Sequence, residues 1–190
     1  MKLLVLTAPS GAGKTTLARR LLAAVPGLRF SISATTRPPR DGERDGVHYH
    51  FLAEDDFRQR VAAGAFVEYE EVYPGRLYGT LRTEVEGRAV PGVDGIVLDK
   101  DVKGALALKR LYGDRALTLF VAPPSLAELA VRLRARGTET EASLADRLAR
   151  AEMELGYAAE FDHVVVNDDL ERAAAETVAL ARSFLAAGAG

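Results

Sequence analysis

The chain has 190 residues, of which 48% are hydrophobic and 27% charged, with no Cys and a formal net charge of −2. That length and apolar content suit one α/β core in a single domain; the missing Cys excludes disulfide, thiolate and zinc–thiolate chemistry; and the near-neutral balance offers no global basic field for nucleic acid or an anionic membrane. No apolar run approaches a membrane span, and a first strand starting at Lys2 leaves no room for a targeting segment, so a cytoplasmic location is expected.

The apolar run Leu3 to Leu6 predicts a buried strand, and Ala8-Pro9-Ser10-Gly11-Ala12-Gly13-Lys14-Thr15-Thr16 follows it. Gly11 and Gly13 let successive N–H groups point at one centre, and Lys14 and Thr15 open a helix whose first turn also favours an anion. This is the pattern of a phosphate-binding loop, except that Ala8 stands where the first Gly is usual. Ala is tolerable there if its φ is negative. The helix is expected over Thr15 to Ala24, ended by Pro26-Gly27. Leu28 to Ser33 reads as a strand, and Thr35 to Gly46, dense in turn formers and charge, as a surface loop.

Val47 to Leu52 predicts a strand, with His48 and His50 on a solvent face without an acidic neighbour. Glu54 to Gly64 reads as a helix, Ala65 to Tyr73 as a strand, and Pro74-Gly75 as a turn. Thr80 or Thr83 is a candidate cap for a short helix stopped by Gly87 and Pro91. Gly95 to Asp99 is a buried-strand run ending in acid, and Asp101 follows on the same face of an extended chain. A helix over Val102 to Tyr112 and a strand over Ala116 to Val121 come next. Ser125 to Glu128 then forms a capping box for a helix to Arg136, and a second helix is expected over Thr140 to Ala159. The last strand spans Phe161 to Val166, and Asp168 or Asp169 caps a helix over Leu170 to Leu185. Alternating apolar strands and helices predict a parallel sheet covered on both faces, with ligands at the carboxyl ends of its strands.

Taken together, the phosphate loop, Phe30-Ser31-Ile32-Ser33, Thr35 to Arg40, Gly42-Glu43, Tyr49-His50-Phe51, Phe66 to Tyr69, Tyr78-Gly79-Thr80, Arg136 to Glu139 and Val166 to Asp169 resemble the guanylate kinase family over most of the chain. The resemblance implies a P-loop NTPase-type α/β core with helices on both faces (1–32, 81–123 and 160–190), an inserted mixed α/β GMP-binding segment (33–80) and a helical lid (124–159). It implies ATP-dependent phosphorylation of GMP, with Mg²⁺ held by Thr15 and, through water, Asp99. By motif match, Lys14, Arg37, Arg136 and Arg147 are catalytic. Ala8 to Thr16, Arg136, Asn167 and Asp168 bind ATP. Arg37, Arg40, Tyr49 and Tyr78 hold the GMP phosphate, and Ser33, Glu68, Thr80 and Asp101 read the guanine.

Two further departures stand beside Ala8: Lys100 where an apolar residue is usual, expected to point away from Asp99 and Asp101 toward solvent, and Lys103 where Gln is usual. The rival readings are a related kinase acting on a ribose bisphosphate, which has no use for Glu68 and Asp101, and a non-catalytic protein-binding module, which would not keep Lys14, Arg136 and Arg147. ATP and GMP are the expected partners, and the oligomeric state is left open, a homo-oligomer included.

Overall fold

The structure is a computed structural model that describes residues 1–87, 91–135 and 141–187. It begins with β1 (Lys2–Thr7), the glycine-bearing loop, α1 (Lys14–Ala24) and β2 (Leu28–Phe30). The chain next makes β3 (Ala34–Thr35), β4 (His50–Phe51), α2 (Glu54–Ala62), β5 (Phe66–Tyr73), β6 (Arg76–Leu81) and a one-turn α3 (Arg82–Val85). It continues through β7 (Gly95–Asp99), α4 (Val102–Tyr112), β8 (Ala116–Ala122), the pair α5 (Leu126–Ala135) and α6 (Glu141–Leu155), β9 (His163–Val166) and α7 (Leu170–Ala186).

Five strands form a parallel sheet in the order β2-β7-β1-β8-β9. A strand covered on both faces needs apolar side chains at successive positions. Accordingly Leu4 and Leu6 pack with Leu17 and Leu21 of α1 and Ala173 and Ala181 of α7, whereas Leu3 and Val5 pack with Ala105 and Leu108 of α4. The pairing of Leu6 with Asp99 brings the glycine-bearing loop and the acid at the end of β7 together at the carboxyl ends of the strands.

A second sheet, β4-β3-β6-β5, is built from the chain between β2 and β7. It is mixed, with β3 parallel to β4 and antiparallel to β6, and β5 antiparallel to β6. Ala34, Phe57, Phe66, Leu77 and Leu81 give it a core of its own, in which the Phe57 and Phe66 rings stack at 4.3 Å. The α5–α6 pair closes on Leu129, Leu133, Leu144 and Ala151.

Several local expectations change. The Leu28–Ser33 strand stops at Phe30 because the chain leaves the parallel sheet: the Ser31 N–H still donates to Val97 O at 2.9 Å, but the Ile32 N–H donates to the Glu84 carboxylate at 3.0 Å. The Val47–Leu52 strand shrinks to His50–Phe51, since the chain before it turns through Gly46 at φ 68°. The two histidines have separate partners: the Arg44 N–H donates to His48 Nδ1 at 3.0 Å, and His50 Nε2 lies 3.2 Å from Glu84 Oε1, an acidic neighbour the sequence did not suggest. Neither Thr80 nor Thr83 caps α3; Leu81 holds the cap position, and the Thr80 hydroxyl turns to Glu68 instead. Ser125 does cap α5, accepting from the Glu128 N–H at 3.1 Å, and Asp169 caps α7, accepting from the Arg172 N–H at 2.8 Å. Helix α6 stops at Leu155, and a 3₁₀ turn over Ala158–Glu160 leads into β9. Among the described residues, no helix is long and apolar enough to cross a membrane.

Candidate active site

The loop between β1 and α1 has Gly11 at φ 95° and Gly13 at φ 104°, and no other residue type among those described has a positive φ. Ala8 therefore keeps the ordinary backbone that makes it an acceptable replacement. The Ala12 N–H donates to Pro9 O at 3.0 Å and closes the turn. Lys14 follows as the first residue of α1; its ammonium pairs with Asp99 and donates to the Lys100 carbonyl at 3.3 Å. A cation at a helix N-terminus opposes the helix dipole, so it needs an anion, and here the carboxylate at the end of β7 supplies one.

Asn167 holds this loop from beneath. Its backbone N–H donates to Ala122 O at 2.8 Å, and its buried side-chain amide donates to Ala12 O at 2.7 Å. A Cβ on Gly13 would collide with that amide. Gly13→Ala combines this clash with a left-handed backbone, which costs a residue with a side chain roughly 1–2 kcal/mol before any repacking. The variant is expected to melt at a lower temperature and to lose ATP binding in calorimetry; unchanged binding would show that the loop does not need this geometry. Asp168, placed by sequence beside Asn167 in the same pocket, pairs instead with Arg172 on the surface.

Helix α6 reaches the loop from above, where Arg147 Nη1 donates to Ser10 Oγ at 3.0 Å. Together they border a cleft of about 730 Å³ lined by the loop, Thr15 and Thr16 and by Asp101, Asp146, Arg147, Arg150 and Glu154. Arg136, with Gly137, Thr138 and Glu139, lies outside the described residues.

A second cation-bearing site lies in the smaller sheet. The segment read from sequence as a surface loop is only partly so, because Thr35 and Arg37 are buried. Arg37 sends Nη1 and Nη2 to the two carboxylate oxygens of Glu43, each at 2.9 Å, and its guanidinium lies 5.4 Å from the Tyr49 ring and 5.7 Å from the Phe51 ring. Hydrogen bonds from Arg37 and from the Arg40 N–H pull the Glu43 carboxyl down to about 2, and the Glu43 bond holds Arg37 above its usual range. The Tyr49 phenol is pushed up, first by burial and then by the negative charge of Asp99, so it stays protonated and able to donate. Tyr78 stands edge-on to Tyr49 at 6.2 Å and helps to hold Arg37 above its usual range. Arg40 is exposed at the rim.

Beyond these phenols, Glu68 on β5 accepts from the Thr80 hydroxyl on β6, a cross-strand pair fixed by the Glu68–Thr80 register. Lys100 joins them. Far from reaching solvent, it is buried, with Nζ 2.8 Å from Glu68 Oε1 and donating to Ser33 Oγ at 3.2 Å. Strand alternation no longer governs it, because β7 ends one residue earlier. For the same reason Asp99 and Asp101 do not work as a pair: Asp99 faces Lys14, whereas Asp101 caps α4 by accepting from the Gly104 N–H at 2.8 Å. The carboxyl of Glu70 is raised chiefly by burial and then by the neighbouring Asp101.

Sequence reasoning gave Glu43 no role and sent Lys100 the wrong way. An acid a few residues past two loop arginines was the available signal for Glu43; nothing local marks Lys100, whose partners are 32 and 67 residues away in the chain.

The model of the family described as guanylate kinase matches residues 1–182. A guanylate kinase of Salinibacter ruber is 60% identical over 183 residues, covering 96% of both chains, and one of Bacteroides fragilis is 50% identical over 97% of this chain and 90% of its own. The crystal structure of guanylate kinase from Anaplasma phagocytophilum superposes with a TM-score of 0.75 at 30% identity, covering 96% of this chain and 85% of that one. A shikimate kinase of Bacteroides thetaiotaomicron, at 18% identity and a TM-score of 0.52, shares the fold alone. The glycine-shaped loop, the parallel sheet behind it and the whole-length likeness agree: the chain belongs to the guanylate kinase family.

Proposed function

We propose that the protein transfers the γ-phosphoryl group of Mg-ATP to GMP, giving ADP and GDP, and accepts dGMP as well. The observation that carries this reading is the pair of anion sites on either side of Asp99. One is the backbone nest that ends in Lys14, which pairs with Asp99; the other is the Arg37 fork with Tyr49, whose phenol senses the Asp99 charge. Such a pair suits a reaction in which two phosphates are aligned and their mutual repulsion is cancelled.

In this reading residues 8–16 cradle the donor phosphates, and Lys14 reaches the transferring group. Arg37 and Arg40 with Tyr49 and Tyr78 hold the acceptor phosphate, and guanidinium forks fit phosphate bidentately. Ser33, Glu68, Thr80 and Asp101 face the guanine; the segment 33–80 carries the acceptor, and 124–159 closes over the donor with Arg136 and Arg147. Asn167 contributes by holding the loop, and Asp168 follows it in the chain on the donor side. The acceptor oxygen is already anionic, so no general base is required.

Thr15 offers a hydroxyl on the cleft wall and Asp99 a carboxylate that is 35% exposed, the oxygen donors that Mg²⁺ prefers when phosphates and water complete its shell. When bound there, the ion would draw negative charge from the phosphate oxygens. Of the rival readings, a protein-binding module has no need of the Lys14 loop, and a sugar-bisphosphate kinase has none for Glu68.

The test is ADP release from Mg-ATP with GMP, AMP, IMP or ribose 1,5-bisphosphate as acceptor, for the unaltered protein and Glu68→Ala. GMP-dependent turnover with AMP inert is expected, and the variant should lose about 10²-fold or more in kcat/KM for GMP, because the base then leaves buried donors unpaired. Turnover with the sugar bisphosphate alone, or none with any acceptor, would overturn the proposal.

A further inference from the structure

Lysine is rarely buried, and where it is its ammonium is paired. Lys100 is 9% exposed, and its partners are residues of the proposed base pocket: Glu68 Oε1 at 2.8 Å and Ser33 Oγ at 3.2 Å. The same Glu68 oxygen accepts the Thr80 hydroxyl, so it is held from two sides. Oε2 faces the first turn of α4, where a Cβ on Gly104 would stand 3.7 Å from it and 3.5 Å from Lys100 Cδ. Carboxylate and ammonium are thus fixed side by side, next to a glycine and to the Asp101 carboxylate that caps the same helix.

An ammonium has three donors, and Glu68 and Ser33 take two of them. Guanine presents along one edge a 6-oxo acceptor, an N1–H donor and a 2-amino donor. A carboxylate alone matches the two donors and repels the oxo oxygen. A carboxylate with an ammonium bonded to its flank matches all three. Adenine, with a 6-amino donor in that place, would turn its hydrogens toward a cation.

We propose that Lys100 is a specificity-determining residue of the acceptor pocket, its remaining N–H donating to the 6-oxo oxygen of guanine while Glu68 takes the N1 and 2-amino hydrogens. This rests on the assignment of Glu68 to the base pocket, so the experiment separates the two. Initial rates are measured with GMP, 6-thio-GMP and IMP for the unaltered enzyme, Lys100→Met, Lys100→Gln and Glu68→Gln. 6-thio-GMP keeps both edge donors but has a poor acceptor at position 6; IMP keeps the oxo group and lacks the 2-amino group.

Lys100→Met is expected to lower kcat/KM by about 10- to 100-fold for GMP but by less than about threefold for 6-thio-GMP, the difference being one hydrogen bond to a charged group. Most of the loss should fall on KM for GMP, with KM for ATP unchanged. Lys100→Gln, which keeps a neutral donor, should fall between. The ratio of GMP to 6-thio-GMP is internal to each preparation, so a partly unfolded variant lowers both rates and leaves the ratio alone. Equal losses on the two substrates in both variants, with Glu68→Gln still erasing the preference for GMP over IMP, would overturn the role of Lys100 and leave the base pocket standing. A GMP over IMP preference untouched by Glu68→Gln would overturn both.

Discussion

Lys14→Met is expected to lower kcat by about 10³-fold, the scale set by removing one preorganised cation or donor from a phosphoryl-transfer site. The methionine stem is nearly as long as the lysine stem and α1 begins at that residue without any side-chain cap, so the fold has little reason to change. What is lost is the ammonium. In the structure it rests on Asp99, whose carboxylate is 35% exposed and can be hydrated when its partner is gone. A single-turnover measurement at saturating Mg-ATP and GMP, with the melting temperature as control, separates the two effects. A rate within tenfold of the unaltered enzyme, with the protein folded, would remove Lys14 from the chemistry.

The second large effect is at Arg37, where even lysine is a poor substitute. Arg37 is 6% exposed and uses both terminal nitrogens on Glu43, with Nη1 also donating to Pro38 O at 2.6 Å. An ammonium is a point donor and cannot form that planar fork beside the Tyr49 and Phe51 rings. Arg37→Lys is expected to reduce kcat/KM for GMP by roughly 10²-fold through KM, leaving KM for ATP within about twofold.

A pH signature accompanies it. The Glu43 carboxyl is depressed from 4.5 to about 2, so the contribution of this ion pair is fully present above the unfolded value and is lost only as pH falls through about 2. The side-chain carboxyl ¹³C shift of Glu43 should therefore stay flat from neutrality to about pH 4, and in Arg37→Lys its midpoint should move up. A normal midpoint in the unaltered protein would mean that the fork is not formed in solution.

Much of the parallel core was legible in the sequence, for reasons visible at particular residues. Gly95 to Asp99 and Val102 to Tyr112 fall where the pattern puts them, because an unbroken apolar run ends in acid and Asp101 caps the helix behind it. Gly11 and Gly13 were readable because only glycine takes those backbone angles easily. The smaller sheet was harder. Strands β3 and β4 are each two residues long, too short for alternation to register, and the buried residues of the Thr35–Gly46 segment include Arg37, a charge that composition assigns to water. Residues that act through the backbone or through neighbours in sequence were recoverable, as with the helix caps Ser125 and Asp169. Interactions with a distant partner were not: Lys100 depends on Glu68 and Ser33, and Asn167, named from sequence as an ATP-binding residue, bonds to Ala12.

Three cations of the site share one condition. Lys14 holds Asp99, Arg37 holds Glu43 and Lys100 holds Glu68, so the protein carries its own counter-ions in place. For Lys14 and Arg37, two of the cations assigned to phosphates, ligand capture in the proposed reaction is then an exchange of one anion for another, not the filling of a bare positive hole. The affinity becomes a difference between phosphate and carboxylate as partners of the same cation, and the displaced carboxylate is free to take up another ligand, as Asp99 would with Mg²⁺. Such an exchange disturbs the surrounding ionic atmosphere less than the number of basic residues suggests, and its dependence on ionic strength is correspondingly shallow.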